Sequence, residues 1–216
     1  MHNIVKNLIY IEELIKSKAN HNELAKIIAV SKTFPIENVL PLIEHGHLHY
    51  GENKVQEALE KWTDIKKVNH NIQLHLIGKL QTNKVKFALK IFDYIHSLDS
   101  EKLANKIADE QQKLKKKPKI FIQVNMGNED QKSGIDKKNL SDFYKFCKDL
   151  NLDIIGTMCI PPNDDNTEKH FSEMNRINQK LNFKELSMGM SGDYVEAIKY
   201  NATYVRVGSK IFGNRA

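Results

Sequence analysis

Eight short apolar runs punctuate this chain, and amphipathic stretches of helical period separate them. The runs are IIAVSK, LHYGE, LHLIG, YIHSL, KIFIQVN, DIIGTMCI, KELSMG and TYVRVGS. Between them lie IENVLPLIEH, NKVQEALEKW, NKVKFALKIF, SEKLANKIADEQQKLK, KKNLSDFYKFCKDL, TEKHFSEMNRINQKL and GDYVEAIKYN. Strands alternating with helices build a parallel sheet, because a parallel pair needs a crossover long enough to hold a helix. Several runs are apolar on both faces, as expected where helices cover the sheet. Eight such units predict an α/β fold closed into a (β/α)8 TIM-like barrel. An open doubly wound sheet is the alternative, weakened because no G-x-G-x-x-G follows the first strand. With no Pro/Gly/Ser linker, residues 1–216 are expected to form a single domain. An extra N-terminal helix is predicted in MHNIVKNLIYIEELIKSK, where Ile4, Val5, Leu8, Ile11 and Ile15 share one face.

Composition narrows the class. The net charge is +6, but thirty of the 33 basic residues are lysines spread along the whole chain without interleaved aromatics. That distribution argues against a nucleic-acid-binding protein. The densest run, Lys113 to Lys119, closes an expected helix, where cations complement the helix dipole. Glu12 and Glu13 interrupt the only N-terminal apolar pattern, so neither a signal peptide nor a membrane span is expected. The two cysteines, Cys147 and Cys159, have no paired spacing, which fits a reduced, cytoplasmic protein.

In a barrel of this type the chemistry sits where strands end. The first run ends at Ser31 and Lys32, the second at Gly51, Glu52 and Asn53, the seventh at SMGMSGD and the eighth at VGSKIFG. The last two loops carry Gly189, Ser191, Gly192, Gly208, Ser209 and Gly213, small residues that let backbone N–H groups close on an anion. Loops after the seventh and eighth strands form the recurrent phosphate site of such barrels. The structural alternative is ordinary turns, with Ser191 capping the next helix. An amine delivered by Lys32 opposite a phosphate cup describes a phosphorylated carbonyl compound. Two classes fit: a Schiff-base aldolase acting on a sugar phosphate, or a protein holding pyridoxal 5′-phosphate (PLP) as an aldimine. Arg206, one of three arginines, lies inside an apolar strand. A guanidinium only donates hydrogen bonds, so beside a pyridine nitrogen it keeps that nitrogen unprotonated. That favours PLP, and favours holding it over carbanion chemistry. The alternative for Arg206 is a structural ion pair with Glu52.

The motifs AVSKTFP, HYGENKVQE, LHLIGKLQTNK, KSGI, LSMGMSGDYVEAI and VRVGSKIFGNR together resemble those of the PLP homeostasis protein family, from Ile28 to Arg215. The resemblance implies the barrel of the alanine racemase N-terminal domain, PLP as cofactor, and a role in vitamin B6 and amino-acid homeostasis without an established reaction. It implies that Lys32 carries PLP as a Schiff base and that Ser191, Gly192, Gly208 and Ser209 hold the phosphate. Arg206 would face the pyridine nitrogen, and Asn53 and Met188 would line the site. A monomer is expected, with PLP-dependent apo-enzymes as recipients of the cofactor. Two positions depart from the family pattern: Phe34 stands where many relatives carry a second lysine, and Lys79 where many carry proline. Lys132 remains as a candidate second amine, with a solvated loop lysine as the favoured alternative reading. A PLP-dependent amino-acid racemase is the alternative function. It is disfavoured because the expected barrel uses all 216 residues, leaving no segment for the second domain of such racemases.

Other features read as structural. His45, His47 and His49 alternate, but no Cys, Asp or Glu stands near them at metal-ligand spacing. His75 and His96 alternate with apolar residues and are expected as hydrogen-bonded core histidines. Cys159, Tyr50 and Trp62 are expected in packing roles.

Overall fold

The computed structural model describes residues 1–18, 24–127, 133–162 and 164–213. Each of the eight apolar runs contains a strand: β1 (Lys26–Val30), β2 (His49–Glu52), β3 (Gln73–Leu76), β4 (Tyr94–Leu98), β5 (Lys119–Asn125), β7 (Asp153–Met158), β8 (Glu185–Met190) and β9 (Tyr204–Val207). A two-residue strand not expected from the sequence, β6 (Ile135–Asp136), pairs with the end of β5. The strands are ordered β4-β3-β2-β1-β9-β8-β7-β5, and β4 pairs with β5, so the parallel sheet closes on itself as an eight-stranded barrel.

The helices are α1 (Asn3–Lys18), α2 (Ile36–Glu44), α3 (Val55–Val68), α4 (Val85–Ile91), α5 (Glu101–Leu114), α6 (Leu140–Asp149), α7 (Thr167–Lys180), α8 (Tyr194–Lys199) and α9 (Ser209–Phe212). Capping explains the lysine run after α5. Ser100 Oγ accepts from Leu103 N at the start, and Lys115 ends the helix in the left-handed region at φ 51°. Lys116 N then returns to Gln111 O, a C-terminal cap that turns the chain toward β5. Helix α1 buries the predicted face, Ile4, Val5, Leu8, Ile11 and Ile15. Each such side chain contributes roughly 1.5–3 kcal/mol of burial. Asn7 Nδ2 donates to Ile211 O, which ties α1 to the short helix following β9.

Period-two alternation sorts the strand residues into two cores. Ile27 and Ala29 join the large core under the helices, while Ile28, Tyr94, Phe121, Met158 and Tyr204 pack together as a separate cluster inside the barrel. That interior is only partly apolar. His75, His96, Ser187 and Arg206 are buried there as well.

Candidate functional site

At the C-terminal ends of the strands lies a cavity of about 500 Å³. Its wall takes Val30, Lys32 and Phe34 from the end of β1, Asn53 from β2, Ile77 from β3 and Ile160 from beyond β7. The opposite wall is Met190, Ser191 and Gly192 after β8, with Arg206, Gly208, Ser209 and Gly213 from β9 onward. A larger hollow of about 700 Å³ opens at the other end of the barrel, near Phe92, Asp93 and Lys119. The smaller one is the candidate site, because barrel chemistry occupies the C-terminal face and because this cavity gathers the amine, the guanidinium and the glycine loops.

Seven of the eight residues expected to form a site therefore meet in one cavity: Lys32, Asn53, Ser191, Gly192, Arg206, Gly208 and Ser209. Met188 does not join them. Ser187 turns its hydroxyl into the barrel, so alternation turns Met188 outward, and it is fully buried in the core under the helices. Met190 lines the cavity instead. Between them Gly189 has φ +89°, and the β8–β9 register shifts between Ser187 and Met190. A Cβ on Gly189 would stand 2.6 Å from Ala197 Cβ, so the close approach of α8 also requires glycine. Lys132 lies outside the described residues.

Local structure positions each group. Ser31 N continues the β1–β2 ladder to Gly51 O, so Lys32 emerges at the strand end, half-buried. Beneath it, Glu52 Oε1 accepts from Ser31 Oγ at 2.8 Å, Lys61 Nζ at 2.9 Å and Trp62 Nε1 at 2.9 Å. Glu52 is thus engaged with these partners and is not the counter-charge of Arg206. Phe34 stacks on Phe212 of α9, with ring centroids 5.0 Å apart, and so forms apolar wall where relatives are expected to carry a lysine. Gly78 admits the backbone of Asn53: a Cβ there would stand 2.4 Å from Asn53 O.

On the other wall, Ser191 does not cap α8. Its hydroxyl accepts from Gly208 N at 3.1 Å, which joins the two glycine loops. A Cβ on Gly192 would meet nothing within 4 Å. The backbone N–H groups of Gly192 and Ser209 find no protein acceptor among the described residues. Arg206 is 4% exposed. Its Nη1 donates to Ser187 Oγ at 2.7 Å and its Nη2 to Cys159 O at 2.8 Å. Among the described residues no carboxylate pairs with it. Its direct hydrogen-bond partners are neutral and Asp193 acts on it only through its charge, so at the wall of a cavity this guanidinium is arranged to meet an acceptor or an anion.

Below Arg206 the interior histidines are hydrogen-bonded to one another, as core histidines should be. His96 Nδ1 lies 2.9 Å from Ser187 Oγ, and His96 Nε2 lies 2.9 Å from His75 Nδ1. His75 Nε2 lies 3.0 Å from His49 Nδ1. Burial, followed by neighbouring positive charge, holds His75 and His96 well below the ordinary imidazole value of 6.5. Burial likewise lowers His47 and His49 to about 4. Burial pushes the Cys159 thiol up to about 12, so it stays protonated and inert, while its backbone carbonyl holds Arg206. Tyr50 and Trp62 are fully buried packing residues. Among the described residues, no group of three or more His, Cys, Asp and Glu could hold a metal ion.

The lowered histidines set a pH dependence. Below pH 6.5 the unfolded chain binds protons that the folded chain refuses, so stability falls as pH drops through that value. The slope is on the order of 1.4 kcal/mol per pH unit for each refused proton. Urea unfolding at pH 5.5 is expected to show a clearly lower midpoint than at pH 7.5. Coincident midpoints would show that the interior histidines protonate freely in the fold.

The fold and the site together define a barrel of the alanine racemase N-terminal type, and the family model "Alanine racemase, N-terminal domain" matches residues 7–216. The chain is 36% identical to the pyridoxal phosphate homeostasis protein of Pasteurella multocida, over 98% of this chain and 97% of that protein. It is 36% identical to the protein of the same name from Aquifex aeolicus, over 88% of this chain and 87% of that one. This chain belongs to the pyridoxal phosphate homeostasis protein family. Among solved structures, PipY of Synechococcus elongatus with PLP bound superposes with a TM-score of 0.87 at 32% identity, covering 97% of this chain and 100% of PipY. Alanine racemase from Clostridium difficile shares the fold alone, with a TM-score of 0.76 at 14% identity, and this chain matches 57% of it.

Proposed function

We propose that this protein binds PLP in the cavity between Lys32 and the glycine loops and serves in intracellular PLP and amino-acid homeostasis. The observation that carries the reading is the convergence of Lys32, the buried Arg206 and the Ser191–Gly208 loop pair on one cavity of about 500 Å³. The residues present fit the group. Among the described residues Arg206 is a buried donor with no carboxylate hydrogen-bonded to it, and the backbone N–H groups of Gly192 and Ser209, without a protein acceptor there, suit a phosphate. PLP, when bound, supplies a reactive aldehyde and a pyridine ring. In this reading Lys32 is the amine that holds it. Ser191, Gly192, Gly208 and Ser209 bind the phosphate, Arg206 donates to the ring nitrogen, and Asn53 borders the ring. Phe34 and Ile160 offer apolar wall and no second amine beside Lys32. The names of the homeostasis relatives support this role over that of an enzyme. No helix among the described residues is long and apolar enough to cross a membrane. The reading extends to a cytoplasmic monomer, with residues 1–216 as one binding unit that passes PLP to PLP-dependent apo-enzymes.

Titration with PLP and with pyridoxal tests the assignment. Loss of one hydroxyl donor to a charged phosphate costs about 1.5–3 kcal/mol. Ser191→Ala and Ser209→Ala are therefore expected to weaken PLP roughly ten- to a hundredfold. Pyridoxal, which lacks the phosphate, should hardly respond. Equal losses for both compounds would place the anion site elsewhere, and wild-type protein that takes up no PLP would overturn the function.

A further inference from the structure

We propose that Ser187 is the positioning residue of this cavity: a one-way chain of histidines commits its hydroxyl proton, so that it acts only as acceptor toward Arg206 and holds the guanidinium in one orientation. The proposal rests on reading the cavity as a PLP site. The chain runs Arg206–Ser187–His96–His75–His49 through the barrel interior, with successive contacts of 2.7, 2.9, 2.9 and 3.0 Å. Ser187, His96 and His75 are all fully buried.

The direction of every proton in this chain follows from counting donors. Arg206 can only donate, so Ser187 Oγ accepts from it. The other partner of the Ser187 hydroxyl is His96 Nδ1, and a buried O–H needs an acceptor. His96 Nδ1 therefore accepts, and its single proton sits on Nε2. That proton goes to His75 Nδ1, which places the His75 proton on Nε2, and this in turn goes to His49 Nδ1. The opposite direction would put a proton on His96 Nδ1 pointing at an oxygen that already accepts from Arg206, and would leave the hydroxyl proton without an acceptor. A charged His96 has the same fault and adds a second buried cation beside the guanidinium. Aligned hydrogen bonds polarise one another, here away from the positive charge of Arg206.

Two strands thus grip the guanidinium. Nη1 is held by Ser187 of β8 and Nη2 by the carbonyl of Cys159 after β7. The remaining N–H groups of the fork are left for the cavity that Arg206 lines. Ser187 does not line the cavity, so its effect on a ligand passes through Arg206.

The first test uses the cofactor-free, full-length protein. Long-range proton–nitrogen correlation of ¹⁵N-histidine-labelled protein is expected to show His75 and His96 neutral, with the proton on Nε2. An Nδ1-protonated or charged His96 would overturn the proposal, whether or not the protein takes PLP. The second test compares Ser187→Ala with Ser187→Thr, which keeps the hydroxyl. Ser187→Ala is expected to weaken PLP about tenfold. It should also shift the absorbance maximum of the bound cofactor and leave the pyridoxyl adduct formed on borohydride reduction at the same lysine as in wild type. Ser187→Thr should restore the wild-type spectrum. Unchanged affinity and spectrum in Ser187→Ala would overturn the positioning role. If wild-type protein takes no PLP, the cofactor reading fails, and the role toward a ligand fails with it even where the tautomers are as derived.

Discussion

Lys32→Ala is expected to abolish the visible absorbance of the PLP-loaded protein while leaving its far-ultraviolet circular dichroism unchanged. Lys32 stands beyond the end of β1, half-buried at the cavity wall, so its loss removes an amine without opening the core. The cavity also presents Arg206 and the glycine loops, which in the proposed reading hold PLP through hydrogen bonds and charge. PLP should therefore still bind, weakly and without the band that an amine bond to its aldehyde produces. Borohydride reduction of wild-type protein followed by peptide mass spectrometry should find the pyridoxyl group on Lys32, and the variant should lose that peptide adduct. An adduct mainly on Lys79 or Lys132, or a visible band that survives in Lys32→Ala, would refute the assignment.

The largest loss of stability is expected from Glu52→Ala. One buried oxygen, Glu52 Oε1, accepts from Ser31 Oγ, Lys61 Nζ and Trp62 Nε1, and the side chain is fully buried. The Lys61 side chain is itself only 8% exposed. Removing the carboxylate strands a buried indole N–H and a hydroxyl and takes one of three acceptors from the Lys61 ammonium. Lys61 keeps the Ser31 carbonyl at 2.9 Å and Glu57 at 3.2 Å. The cost should therefore lie at the lower end for stripping one partner from a buried ion pair, about 3 kcal/mol. That corresponds to a fall in Tm of about 6–12 °C for a chain of this size. Because Ser31 precedes Lys32, weaker attachment of PLP should accompany the loss. Glu52→Gln, which keeps an acceptor oxygen, should recover part of both. A Glu52→Ala protein as stable as wild type would mean that Glu52 Oε2, which has no hydrogen-bond partner among the described residues, makes the carboxylate as costly to bury as its bonds are worth.

Much of this architecture is written in local patterns. Hydrophobic period separates strands of period two from helices of period 3.6, and both signals survive in a single sequence. Eight runs read this way each hold one barrel strand, and the strand ends carry Lys32, Asn53, Ser191, Gly192, Arg206, Gly208 and Ser209 into one cavity. That convergence follows from parallel strands in a barrel, which deliver all their C-terminal ends to the same face. The short strand β6 carries too few residues for any period to be seen.

What the sequence left undetermined are the features set by backbone exceptions and by contacts across the barrel. The family resemblance implied Met188 in the site, but alternation buries Met188 in the core, and the positive φ of Gly189 with the shifted register brings Met190 to the cavity. Arg206 finds Ser187 and the Cys159 carbonyl, while Glu52 takes Lys61, Trp62 and Ser31. Ser187 and His96, separated by 91 residues, meet only because the sheet closes. By itself the sequence determined which residues lie on strands and which ends carry an amine, a guanidinium and glycines, because periodicity is a local property. Only the tertiary structure decided which buried polar groups face one another, because closing the barrel sets those distances and a buried donor must bond to whatever acceptor that closure brings within reach.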